Sequence, residues 1–408
     1  MNKFIRKNLF KKLWTQTLGE PGFIQIVTGP RQVGKTTLVL QLFDKWKGPK
    51  IYETADSPVI PSHQWIEQHW KNARNLKPGK GKKSLLILDE VQKIPRWSET
   101  VKKLYDEDKR MKTNLRIILL GSSSLLIQRG LNESLAGRFE LHRHYHWSYK
   151  ECSDFDNLTL NEYIFFGGFP GALVLRKDEN RWMNYIRDSL IETVISKDIL
   201  LMAPVTKPAL LKQVFGLCIH YPSEIVSYQK MIGQLTDAGN TTTIAHYLNL
   251  FSGGYLITPI LKYSGSIIKQ KSSSPKIIVL DNSIISANTA KSFNKAVTRR
   301  TYWGRLIENA VGAKLYLLAS NCGGNVYYWR ERSKEIDFCF KYQDKLIGIE
   351  VKSGIMKNDT SVKIFNKRFS PVYNIIISSE LEPHKKNDYI HHINFQEFFT
   401  DPSIILSF

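Results

Sequence analysis

The sequence predicts an α/β fold: a parallel sheet with helices on both faces, then a helical segment, then a second, smaller α/β domain. Three observations lead there. The apolar runs Phe23–Thr28, Ser84–Leu88 and Leu115–Leu120 alternate with stretches of helical period, which is how strands buried on both faces read. A Gly-rich turn joins the first of these strands to a helix. Far downstream, the strands Glu335–Phe338 and Leu346–Lys352 flank a turn at Tyr342–Lys345, the pattern of a hairpin.

Taken in order, residues 2–18 read as a short basic helix, FIQIVT as a buried strand, and Lys35 to Trp46 as a helix. Ile51–Thr54 is a strand, 62–76 a helix, and the Lys/Gly/Pro segment 77–83 a loop. SLLIL and LRIILL complete the sheet. From 160 to 215 the pattern is helical, broken by the turn GGFPG at 167–171. Residues 223–263 read as two short helices and a hairpin, 264–275 as a polar loop, and 276–408 as the last α/β segment. The expected domains are therefore 1–155, 156–265 and 266–408.

A chain of 408 residues with 42% hydrophobic content buries enough apolar surface to need no staple. Its four cysteines include no C-x-x-C pair, which argues against a zinc ribbon and a disulfide scaffold and for a reducing compartment. No apolar run reaches the ~18 residues of a membrane span. The basic N-terminus MNKFIRKNLFKKLW lacks the apolar core of a signal peptide. The expectation is a soluble, cytoplasmic protein with no stable membrane span. Its formal charge of +21 favours polyanionic partners, nucleic acid or acidic lipid surface. Residues 261–300 concentrate the excess: Lys262, Lys269, Lys271, Lys276, Lys291, Lys295, Arg299 and Arg300 stand against Asp281 alone.

The turn after the first strand, Gly29-Pro30-Arg31-Gln32-Val33-Gly34-Lys35-Thr36, fits G-x-x-x-x-G-K-[ST], and Thr37 follows it. Glycines let successive N–H groups turn inward as an anion nest, and the following helix adds its positive end. Lys35 is expected on the β/γ-phosphates and Thr36 on Mg²⁺. The strand Leu85–Leu88 ends in Asp89 and Glu90. Asp89 is placed to hold the Mg²⁺ and Glu90 to polarise the attacking water. A third strand end, Gly121-Ser122-Ser123-Ser124, offers a hydroxyl (Ser123 in the middle) to position that water or sense the γ-phosphate.

GPRQVGKTT, LLILDEVQKIP, LLGSSS and LAGRFE, in that order, resemble the AAA-type P-loop ATPases of bacteria and archaea. GGFPGALV, YIRDSLIETVISKDI, SYQKMIGQL and EIDFCF…IGIEVKSG resemble the same family, so the likeness spans about residues 20–355. The resemblance implies ATP rather than GTP, and Arg138 of LAGRFE as an arginine sensor or finger. A guanidinium near the γ-phosphate stabilises spreading charge; the alternative is a surface arginine paired with Glu140 or Glu133. If Arg138 acts in trans, the active form is a homo-oligomer.

Downstream, Ser227–Leu235 and Thr241–Phe251 flank the turn Asp237–Asn240 as a helix-turn-helix, with Asn240 or Thr241 as cap. The second helix offers Thr241, Thr242, Thr243 and His246 to a groove, and YLITPILKY suggests a wing. The resemblance implies a winged-helix module here too; the alternative is a connector without DNA contact. Near the end, Asp337 on one strand and Glu350-x-Lys352 on the next resemble a restriction-endonuclease-like core. Asp337 and Glu350 can hold a second Mg²⁺ or Mn²⁺, Lys352 can orient water, and Glu308 can add a ligand. Glu107-Asp108-Lys109 repeats the E-x-K string in a charged helix without that context. His142, His144 and His146 alternate, and are expected on a solvated edge strand rather than on a metal.

The expected activity is ATP binding and hydrolysis that switches C-terminal DNA-binding domains. The alternatives are an ATP-coupled, metal-dependent DNA nuclease, and an ATPase acting on protein partners or at a membrane.

Overall fold

The computed structural model describes residues 4–408 except 77, 80, 122–133, 201–204, 237–239, 266–269, 271–272, 290–291, 353–359 and 380–388. The chain divides into two compact units, Met1–Tyr145 and His146–Phe408.

In the first unit, β1 (Ile24–Thr28), β2 (Lys50–Thr54), β3 (Ser84–Asp89), β4 (Leu115–Gly121) and β5 (Phe139–Arg143) form a parallel sheet in the order β2-β3-β4-β1-β5. Among the described residues, four α-helices accompany it: α1 (Lys7–Leu18), α2 (Lys35–Lys45), α3 (His63–Asn75) and α4 (Trp97–Met111). Period-2 alternation sends successive side chains to opposite faces. Leu85, Ile87, Ile118 and Leu120 thus pack with Leu38 and Leu42 of α2 and Leu13 of α1. Leu86, Leu88, Ile117 and Leu119 pack with Ile66 and Trp70 of α3 and Val101 of α4. Two apolar layers on one sheet are the physical meaning of the continuous hydrophobic runs, and they confirm the expected covering by helices on both faces.

The second unit carries seven strands: β6 (Ile257–Lys262), β7 (Lys276–Val279), β8 (Asn325–Glu331), β9 (Lys334–Tyr342), β10 (Lys345–Lys352), β11 (Tyr373–Ser378) and β12 (Ile390–Asn394). Their order is β12-β11-β10-β9-β8-β6-β7. β8, β9 and β10 are an antiparallel meander, and β10, β11 and β12 run parallel. The 23-residue helix α5 (Arg300–Cys322) packs on this sheet, with Gly312 against the Phe338 ring.

The boundary expected at residue 265 falls inside this sheet, because β6 and β7, on either side of it, are antiparallel partners. For the same reason the expected wing is β6, whose far edge pairs with β8. The two short helices are present as Tyr228–Ile232 and Thr241–Gly253, and Asn240 caps the second by accepting from Thr243 N at 2.8 Å. Asp237 to Gly239 of the expected turn lie outside the described residues. Thr242 and His246 are exposed on the second helix.

Candidate functional site

The phosphate-binding turn begins where β1, buried along its whole length, reaches its carboxyl end. Gly29 has φ +154°, and a Cβ there would sit 1.8 Å from the carbonyl oxygen of His144. Only glycine fits so close a backbone approach. Gly34 has φ +86° and caps α2 in the left-handed region. Pro30 and Val33 are buried, Arg31 is half-buried, and Gln32 and Thr37 are exposed. Lys35 is buried, and its Nζ donates to the carbonyls of Gly29 at 2.9 Å and Pro30 at 2.7 Å.

Across the sheet, β3 ends at Asp89. Its Oδ2 accepts from the Thr36 hydroxyl at 3.0 Å and from the Tyr52 phenol at 2.9 Å. Its Oδ1 accepts from the Glu90 amide at 2.8 Å. Burial and the Asp89 charge push the Tyr52 phenol well above its ordinary pKa. Glu90 sits at φ +55°, and its Oε2 accepts from Gln92 Nε2 at 2.6 Å. The structure thus gathers Lys35, Thr36, Asp89 and Glu90. Tyr52 and Gln92 were missed by the sequence reading. Tyr52 had no signal of its own in the sequence: its place follows from the parallel pairing of β2 with β3, which sets Tyr52 opposite Ile87 and Thr54 opposite Asp89. A hydroxyl and a carboxylate converging beside a buried lysine are the oxygen donors that Mg²⁺ takes in a phosphate site. Ser123 lies outside the described residues.

Arg138 is elsewhere. Its carbonyl accepts from the Ile24 amide, at the amino end of β1. The phosphate turn begins beyond the other end of that strand, about 13 Å away at ~3.3 Å per residue. A sensor role for Arg138 on its own subunit's nucleotide is therefore corrected by geometry. Its guanidinium grips Asp106 through Nε at 2.8 Å and Nη2 at 3.0 Å. Of the two expected partners, Glu140 accepts from Gln25 and Gln16 instead, and Glu133 lies outside the described residues.

The histidines also depart from expectation. His142, His144 and His146 are buried. His142 Nε2 meets Gln25 Oε1 at 2.7 Å, and the His144 amide donates to Thr28 O at 2.8 Å. β5 is an edge of the sheet and mostly half-buried, but His142 on it is covered rather than solvated. Burial, and secondarily Lys12, pushes His142 down to about 4; burial pushes His144 well below the ordinary range.

In the second unit, Glu308, Asp337, Glu350 and Lys352 do come together, around a polar pocket of about 430 Å³ that Ser223 and Glu335 also line. Antiparallel register, with Ile349 opposite Phe338, sets Glu350 beside Asp337. Asp337 Oδ2 accepts from the Val351 amide at 2.8 Å, and Glu350 Oε2 accepts from Lys352 Nζ. Glu350 Oε1 is buried without a hydrogen-bond partner. Burial, then Asp337, pushes the Glu350 carboxyl well above the ordinary range; burial likewise raises Glu308.

Two of the lining carboxylates meet a lysine that the sequence shows only as part of the basic excess of residues 261–300. The Lys276 side chain is fully buried, with Nζ 2.6 Å from Glu308 Oε1 and 3.3 Å from Glu335 Oε1. Among the described residues, no group of three or more His, Cys, Asp or Glu side chains is placed to hold a metal ion. Of the carboxylates expected to take a second Mg²⁺ or Mn²⁺, Asp337 Oδ2 is engaged by an amide and Glu350 Oε2 by an ammonium. No helix among the described residues is long and apolar enough to cross a membrane.

Comparison with known proteins places this geometry. Residues 22–153 match the family model described as "AAA domain". Residues 157–294 and 303–398 match two further models, each described as a domain of unknown function. An uncharacterized protein of Mycobacterium tuberculosis is 27% identical over 333 residues, 81% of this chain and 70% of that one. An uncharacterized protein of Haemophilus influenzae is 24% identical over 356 residues, 82% of this chain and 84% of that one. Among solved structures, a RuvB variant of Thermotoga maritima is similar at TM-score 0.33 and 15% identity, over 62% of this chain and 89% of that one. AMPPCP-bound DnaA of Aquifex aeolicus is similar at TM-score 0.31 and 18% identity, over 60% and 86%. Residues 22–153, which carry the Gly29–Thr36 turn, are thus similar to an AAA domain.

Proposed function

We propose that the protein binds ATP with Mg²⁺, hydrolyses it by water attack, and uses the cycle to switch DNA association by its C-terminal portion. One observation carries the nucleotide reading: Thr36 Oγ1 lies 3.0 Å from Asp89 Oδ2 at the mouth of a glycine turn that contains a buried lysine. Main-chain N–H groups of the turn, from Gly29 and from Arg31 to Gly34 but not from Pro30, would face the phosphates. Lys35 exchanges its two carbonyl partners for phosphate oxygens. Thr36 and Asp89 hold Mg²⁺, which neutralises charge on the phosphates. Glu90, oriented by Gln92, accepts the proton of the attacking water. Arg138 is too far from its own turn to take part, so a role in catalysis requires a neighbouring copy in a homo-oligomer.

Calorimetric titration with Mg-ATP tests this. Lys35→Ala should bind no nucleotide, whereas Glu90→Gln should bind it and not turn it over. Equal turnover by Glu90→Gln and the parent would remove Glu90 from its role.

Association with DNA is supported by the +21 formal charge and by exposed Thr242 and His246 on a capped helix. Anisotropy with labelled duplex should show binding that weakens steeply with salt; none at moderate salt would favour protein partners or a membrane surface. A second reading, an ATP-coupled nuclease, draws on the convergence of Asp337, Glu350 and Lys352. It predicts plasmid cleavage in Mn²⁺ that Lys352→Ala abolishes.

A further inference from the structure

The carboxylates of the C-terminal pocket converge on an ammonium. Lys276 opens β7, and its side chain has no exposure to solvent. Its Nζ reaches Glu308 Oε1 at 2.6 Å, Glu335 Oε1 at 3.3 Å and the main-chain oxygen of Asp337 at 3.2 Å. The ring of Phe338 lies 4.8 Å away, in cation–π contact. An ammonium has three donors and no acceptor, and here three oxygens surround it. Burial by itself disfavours the charged amine, but the carboxylates of Glu308, Asp337 and Glu335 outweigh it and hold Lys276 protonated.

This arrangement leaves little for a divalent ion. Mg²⁺ asks for near-octahedral oxygens at about 2.1 Å, and Mn²⁺ favours similar ligands. The nearest Glu308 oxygen is shared between Lys276 and, at 2.9 Å, the Ser223 hydroxyl. Asp337 Oδ2 is taken by the Val351 amide. Glu350 Oε2 is taken by Lys352, which leaves Glu350 Oε1 as the buried carboxylate oxygen without a hydrogen-bond partner. Lys352 lines the pocket, and the buried Lys276 ammonium is held by two of its lining carboxylates, Glu308 and Glu335.

We propose that Lys276 is the resident cation of this pocket, occupying with its ammonium the position that Glu308, Glu335 and Asp337 would otherwise offer to Mg²⁺ or Mn²⁺. The second unit then keeps the strand geometry of a metal site while its own chain supplies the positive charge. The inference is independent of ATP hydrolysis, because it concerns only residues of the second unit.

The test is a titration of the full chain with Mn²⁺, without nucleotide, read by the electron paramagnetic resonance signal of the free ion. The parent and Glu350→Gln should give superimposable curves, with no site in the pocket. Lys276→Met should gain one site, at least about tenfold tighter than any in the parent, and Lys276→Met with Glu308→Gln should lose it again. A site in the parent that Glu350→Gln weakens would overturn the proposal, as would a folded Lys276→Met that gains none. Should Lys276→Met not fold, the comparison of the parent with Glu350→Gln decides alone. Loss of ATP turnover in Lys35→Ala leaves every one of these outcomes unchanged, so failure here and failure of the nucleotide reading are distinguishable.

Discussion

The phenol of Tyr52 donates to Asp89 Oδ2 at 2.9 Å, onto the same oxygen that takes the Thr36 hydroxyl. The two donors come from different elements, Tyr52 from β2 and Thr36 from the first turn of α2, and together they fix the carboxylate. A partner that orients a metal-holding carboxylate typically matters about 10-fold or more in metal affinity. Tyr52→Phe should therefore raise the Mg²⁺ needed for half-maximal ATP turnover by about tenfold, while nucleotide binding without Mg²⁺ stays unchanged. Mg²⁺ dependence identical to the parent would reduce Tyr52 to a packing residue.

The first sheet was legible because its strands are buried on both faces, so their residues read as unbroken apolar runs. Lys35, Thr36, Asp89 and Glu90 were legible because a glycine turn and a strand end constrain local backbone. Tyr52 was not, since its role depends on which strand lies beside β3, and the order β2-β3-β4-β1-β5 is a matter of pairing rather than composition. Lys276 illustrates the same limit. It stands in a basic segment, and only the tertiary fold, which packs α5 against β7 and brings Glu335 of β9 within reach, turns it inward to Glu308 and Glu335. The seven-stranded sheet was cut at residue 265 because a polar loop looks like a linker whether or not its flanking strands pair.

The Glu107-Asp108-Lys109 string has a structural use. Buried Asp108 accepts from Trp70 Nε1 and from Arg74 Nε, both at 2.7 Å, and Glu107 accepts from Arg74 Nη1 at 3.0 Å. Removing the carboxylate leaves the Trp70 indole N–H and the Arg74 Nε–H without their acceptor between α3 and α4, while Glu107 and the Leu104 carbonyl still hold the rest of the guanidinium. Asp108→Ala should destabilise the first unit by roughly 3 kcal/mol, seen as an earlier thermal transition. Asp108→Asn, which keeps acceptors, should lose less. Equal losses would point to packing rather than to the hydrogen bonds.

Arg138 and Asp106 form a two-point pair that is partly exposed, so its stability contribution is about 1 kcal/mol or less. Arg138→Ala and Asp106→Asn should lower the melting temperature by similar small amounts. Their turnover should differ if copies of the chain assemble around nucleotide: Arg138→Ala loses ATPase activity, and Asp106→Asn retains it. Mixing Arg138→Ala with Glu90→Gln should then restore activity, since each supplies what the other lacks. Recovery absent from such mixtures, with Arg138→Ala fully active alone, would leave the pair purely structural.

His142 makes the first unit sensitive to acid. Its ring is buried and bonded to Gln25, and burial holds it down to about 4 from the ordinary 6.5. Above pH 6.5 the ring is neutral folded and unfolded, so its contribution is fully present. Below that, the unfolded chain takes up a proton that the folded chain refuses, and stability falls until pH reaches about 4. The loss across that window is roughly 3 kcal/mol, at 1.36 kcal/mol per pH unit. His142→Gln removes the titration and keeps a polar group opposite Gln25. Thermal unfolding from pH 7 to pH 4 should show the parent losing stability faster than the variant, with the two curves converging toward acid. Parallel curves would mean that His142 protonates in the folded state, and that the cover over β5 is open to water.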